Sequence, residues 1–152
     1  MSSKLRFKGL DANGLARLLR QADKTARNEA FAAMRDATYE IKDISVKQAP
    51  VDTGELEAAH RVVINRNQSL KAHYAIEVGG TVNGVNVDEY AEIIHEGLGW
   101  SKLGPASLAK AATVAPLIVG PHFLWRAFDG RVKDTIQRVE EAMYRGARRH
   151  VG

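Results

Sequence analysis

From Leu15 to Gln48 the chain runs without a glycine or a proline, and Pro50 then brings that run to an end. Leu15, Leu19, Ala22, Ala26, Ala30, Met34, Ala37, Ile41 and Ile44 recur three or four residues apart, one face of an α-helix. A helix of about 34 residues spans on the order of 50 Å, more than a single compact domain covers end to end. Much of the stripe is alanine, which permits close approach but buries little area per residue. The pattern therefore predicts a helix that leans on the C-terminal helix or on a neighbouring subunit.

The stop is built by Ala49-Pro50-Val51-Asp52-Thr53-Gly54-Glu55-Leu56. Pro50 donates no backbone hydrogen bond and biases Ala49 away from helical geometry, so the helix is expected to end near Gln48. Asp52 or Thr53 then supplies a cap for a new short turn, with Glu55 in capping-box position after Asp52. Gly54 permits the tight approach. Pro50, Asp52, Thr53, Gly54 and Leu56 thus form a helix-to-strand corner.

Downstream the periodicity changes. His60 to Arg66 has a β-branched centre, Asn65 to Gln68 offers a turn, and Ala72, Tyr74, Ile76 and Val78 alternate with His73, Ala75 and Glu77. Asn83-Gly84 signals a small hairpin. Tyr90 to Glu96 reads as a further strand, ended by Gly97 and Gly99. These segments predict an antiparallel sheet of three or four strands that needs a helix across its apolar face.

Residues 98–120 are long for a connection, even with a helical turn or two in the alanine-rich stretch from Ala106. Leu103, Leu108, Leu117 and Ile118 would be a liability on a monomer, which marks this stretch as a candidate assembly loop. After Pro121 comes an amphipathic helix. Trp125, Phe128, Val132, Ile136, Val139 and Met143 fall three or four apart, and Phe123, Trp125, Phe128, Val132 and Ile136 are its expected core residues, laid on the sheet. The fold class is α+β, in a single domain over residues 1–152, with a flexible arm at 1–14.

Composition narrows the chemistry. The 152 residues contain no cysteine, which excludes disulfides, thiolate catalysis and cysteine-based metal sites, and fits an intracellular setting. Neither a signal-peptide pattern at the start nor a run of twenty apolar residues is present, so a soluble protein with no membrane partner is expected. The net charge of +4 is interleaved with acidic residues, except at Arg145, Arg148 and Arg149, a possible DNA or partner contact. His60, His73, His95, His122 and His150 show no metal-binding spacing. His95 and Glu96, as neighbours on a strand, would point to opposite faces. No nucleophile elbow, phosphate loop or dinucleotide fingerprint occurs, so neither an enzyme nor a cofactor is expected.

Three elements in order carry a family resemblance: Ala-Pro-Val-Asp-Thr-Gly-x-Leu at 49–56, Tyr90, Ala91, Glu96 and Gly97 on the expected strand, and Pro121, Phe123, Leu124 and Ala127 opening the last helix. The chain resembles the tail-completion and head-to-tail joining (neck) proteins of long-tailed double-stranded DNA phages and prophages. It departs from them at Leu98, where they usually carry threonine, and in a longer, more apolar 98–120. The resemblance implies a structural virion protein at the head-proximal end of the tail. Such a protein forms a homo-oligomeric ring of six subunits, or twelve, that caps the tail tube or joins it to the head connector. Its partners are connector or adaptor proteins, the tail terminator or tail tube protein, and DNA that passes without sequence-specific binding; before assembly it resides in the host cytoplasm. Two other classes stay open: a small basic DNA-binding or packaging accessory protein, and an enzyme subunit whose partner completes the active site.

Overall fold

A computed structural model describes residues 24–66, 72–98 and 102–149 of the chain. The expected arm at 1–14 and the start of the stripe, Leu15 to Ala22, lie outside the described residues, as does most of the turn after Arg66. The order of elements is α1 (Lys24–Gln48), α2 (Glu55–Ala58), β1 (His60–Arg66), β2 (Ala72–Val78), β3 (Thr81–Val82), β4 (Val85–Asn86), a 3-10 turn (Val87–Glu89), α3 (Ala91–Glu96), α4 (Pro105–Val114), α5 (Phe123–Asp129) and α6 (Val132–Arg148). The fold is α+β, with a long N-terminal helix, antiparallel strands and a C-terminal helix.

Helix α1 ends where Pro50 requires, its last backbone bond running from Ala49 N to Ser45 O at 2.8 Å. The expected cap is different. Gly54, at φ 95°, occupies the position before α2, and no side chain caps it. Asp52 is exposed, while the Thr53 hydroxyl bonds the Glu55 carboxylate instead of a backbone N–H.

The strands form two two-stranded sheets instead of one sheet of three or four. β1 pairs antiparallel with β2, from His60 opposite Val78 to Arg66 opposite Ala72. β3 and β4 flank the predicted turn, with Asn83 at φ 49° and Gly84 at φ 81°, the left-handed pair that a two-residue hairpin demands.

The expected strand over Tyr90–Glu96 is helical. Ala91 and His95, four apart, are the buried pair of α3, whereas Ile93 is exposed, so the operative period is 3.6. Gly97 closes the helix at φ 72°, its N–H reaching Ile94 O at 3.2 Å while Leu98 N–H reaches Ile93 O at 3.0 Å. This paired closure satisfies two terminal carbonyls and uses the conformation glycine adopts without a Cβ penalty.

The C-terminal helix packs on α1, not on the sheet as expected. Arg138 pairs with Glu40 and Arg149 with Glu29, so the two helices run antiparallel. Thr135, Val139, Ala142 and Gly146 form the buried edge of α6, and Val139 meets Ala30 and Phe31. At the other end of the seam a Cβ on Gly146 would stand 2.6 Å from Ala26 Cα. Small residues on both helices permit that approach, which is the use the alanine stripe serves.

The expected single C-terminal helix is broken at Gly130 and Arg131 into α5 and α6. The break resets the helical phase. Phe123, Leu124, Ala127 and Phe128 enter the main core with Ile41, Leu56, Ile76 and Val78, but Trp125 is 57% exposed and is not the core residue its spacing suggested. Val132 and Ile136 are half-buried. Within 98–120, α4 is a ten-residue helix, longer than the turn or two expected there. No described helix is long and apolar enough to cross a membrane.

Candidate functional site

The corner is held by residues far along the chain. Ser107 on α4 accepts from Val51 N–H and donates to Val51 O, both at 2.9 Å. One turn on, Lys110 Nζ donates to Val46 O at 2.6 Å and to Ala49 O at 2.7 Å, and pairs with Glu57. A cation with three donors at the carbonyl end of α1 satisfies groups that have no partner within the helix. Between corner and α4 lies a cleft of about 520 Å³ lined by Pro50 to Leu56, Val85, Tyr90, Ile94, Lys102, Gly104 and Ser107. The Tyr90 hydroxyl titrates above its ordinary value, through partial burial and then the Glu55 and Asp52 carboxylates. Two of the three resemblance motifs, the corner and Tyr90, thus face one cleft.

Behind the corner, three imidazoles and Phe123 form a row. His60 and Phe123 lie 5.6 Å apart, Phe123 and His95 5.1 Å, and His95 and His122 5.7 Å. His60 Nδ1 bonds Leu56 O at 2.9 Å, and a carbonyl only accepts, so Nδ1 carries the proton and Nε2 accepts from Ser45 Oγ at 2.9 Å. Burial pushes the His60 pKa down to about 4, against the raising effect of its backbone hydrogen bonds. Ser45 is 0% exposed, so this pair, though it has the composition of a nucleophile and its base, has no access to substrate.

His95 and Glu96 do converge, contrary to the strand reading. On the last turn of α3, His95 Nδ1 lies 2.9 Å from Glu96 Oε1. His122, at φ 58°, bonds its N–H to His95 O at 2.7 Å. Donor atoms of His95, Glu96 and His122 all lie within 4.8 Å of one another. Sequence reading missed this cluster because His95 and His122 are separated by the whole of α4 and its flanks. The only local signals were that His95 stands next to a carboxylate and His122 next to a proline.

The candidate assembly residues divide. Leu108 is 57% and Ile118 63% exposed, with Ile93, Leu98 and Trp125 also exposed, whereas Leu103 and Leu117 are half-buried. Arg126 fixes the end of this segment, donating to Ile118 O at 2.9 Å, to Gly120 O at 3.3 Å and to Pro121 O. Arg145, Arg148 and Arg149 of the basic tail are all exposed, and Arg149 pairs with Glu29. No family model, curated protein or solved structure matches the chain.

Proposed function

We propose that the chain is a structural protein of a phage neck or tail end, which assembles as a homo-oligomeric ring of six or twelve copies around a DNA channel. It completes the tail tube or joins it to the head connector. The observation that carries this reading is the position of Leu108 and Ile118: both are exposed, on a segment that Lys110 and Arg126 hold against the domain. Apolar side chains presented on a braced segment suit heterologous contacts between identical subunits, which close on themselves in a ring. The ordered triple of motifs supports the particular assembly, and two of its elements share a cleft in which a neighbouring segment can lodge.

The reading makes the protein mechanical and non-enzymatic. Native mass spectrometry and electron microscopy of the purified chain, alone and with tail tubes or portal complexes, test it. Closed rings in either condition are expected. Monomer in both would refute the proposal.

A further inference from the structure

We propose that His95, Glu96 and His122 bind a divalent first-row transition cation, zinc foremost, which ties the two feet of the 97–121 segment together. Two imidazoles, a carboxylate and water make a donor set that zinc accepts in tetrahedral geometry. The three residues offer donor atoms within 4.8 Å of one another, close enough for small side-chain rotations to bring them onto one ion.

His95 is buried, its Nδ1 lies against Glu96, and its Nε2 has no hydrogen-bond partner among the described residues. One ion cannot meet both ring nitrogens, so it would take Nδ1, the nitrogen 2.9 Å from Glu96 Oε1, and Nε2 on the far side of the ring would carry the proton. Glu96 and His122 are exposed, which leaves an entry path and a position for water.

The surroundings fix the donors. Phe123 packs edge-on against the His95 ring, and the Gly97 backbone lies so near Pro121 that a Cβ there would stand 3.3 Å from the proline ring. Arg126 holds the carbonyls just before His122. The ion would join residues 95 and 96 to residue 122, and so lock the base of the segment that carries Leu98, Leu108 and Ile118. This inference stands apart from the ring proposal and is tested without assembly.

The experiment is a zinc titration of the tag-free full chain by chelator competition, with Co2+ absorption spectroscopy as a report on geometry. One equivalent of Zn2+ is expected, with Kd at or below about 10 μM, three protein donors being one fewer than a closed structural site holds. Co2+ should show the intense visible bands of a tetrahedral site. Glu96→Gln and His122→Asn alter exposed side chains, and asparagine tolerates the left-handed backbone at 122. Each should weaken zinc by about 100-fold or more, since even residues that only support a ligand cost 10–100-fold. His73→Ala, at an exposed histidine on β2, should bind as the wild type does. Absence of saturable zinc binding in the wild type, or wild-type affinity in both Glu96→Gln and His122→Asn, would overturn the proposal.

Discussion

Replacing Gly146 by alanine sets two well-calibrated effects against each other. Alanine in place of glycine inside a helix is ordinarily worth about 1 kcal/mol of stability. Here the added Cβ would lie 2.6 Å from Ala26 Cα and 2.9 Å from Ala26 N, with Thr25 C at 3.1 Å. All three are backbone atoms of α1, so no side chain can rotate out of the way. The helices must separate, and overpacking of this kind costs about 1–3 kcal/mol, here in the upper part of that range because two contacts fall inside the closest distances real Cβ atoms keep. The expected net effect is a loss of about 1–2 kcal/mol. Urea denaturation followed by far-ultraviolet circular dichroism reads it, with a lower midpoint at unchanged slope. Ala147→Gly on the exposed neighbour, expected to cost about 1 kcal/mol, checks that helix propensity operates at this end of α6. A Gly146→Ala protein as stable as the wild type, or more so, would refute the close-packed seam.

Four further outcomes are expected. The folded-state pKa of His60 is depressed from 6.5 to about 4, so the unfolded chain binds more protons between those values; stability should be full above pH 6.5 and fall by roughly 3 kcal/mol as the pH drops to about 4. Denaturation midpoints across that range check it, and a His60→Gln variant should show a flatter profile. Asp52→Ala should change stability by less than about 0.5 kcal/mol, because Asp52 caps nothing, whereas Lys110→Met should cost about 2 kcal/mol by stranding the carbonyls of Val46 and Ala49. Leu108→Ser with Ile118→Ser should leave the circular dichroism of the free subunit intact and abolish ring formation in electron microscopy. Duplex DNA should bind no tighter than about 10⁻⁵ M at physiological salt, and the Arg145, Arg148 and Arg149 triple alanine variant should still assemble; submicromolar binding lost in that variant, read by fluorescence anisotropy, would favour the DNA-binding alternative.

The legible parts of the fold were those governed by local chemistry. Pro50 ends α1 and Asn83-Gly84 turns its hairpin because each constrains its own backbone, whatever lies elsewhere. Tyr90–Glu96 misled because the six helical residues Ala91–Glu96 give less than two turns, and Ile93-Ile94 looks β-prone until Gly97 is recognised as a helix closure. Trp125 misled through continuity: its spacing places it in a stripe only if one helix spans Gly130. The corner residues Pro50, Thr53 and Leu56 were visible in sequence, but their braces, Ser107 and Lys110, were not, being more than fifty residues away. Separation along the chain likewise hid the meeting of His95 with His122, which depends on α5 being anchored through Phe123 in the core.

The antiparallel seam between the first and last helices also governs when this protein can fold during its synthesis. The carbonyl end of α1 waits for Lys110, and the flank carrying Ala26, Ala30 and Phe31 waits for α6. At ribosomal speeds of about 5–20 residues per second, the hundred residues from Gln48 to Arg148 take roughly 5–20 s to emerge. Over that interval α1 is complete in sequence yet lacks its terminal cation until Lys110 emerges and its seam partner until α6 does. Native structure is therefore reached only after α6 has emerged, and ribosome-bound fragments ending before residue 132 should be protease-sensitive. Any contact between subunits made by the finished fold is thereby deferred until α6 of each copy has left the ribosome.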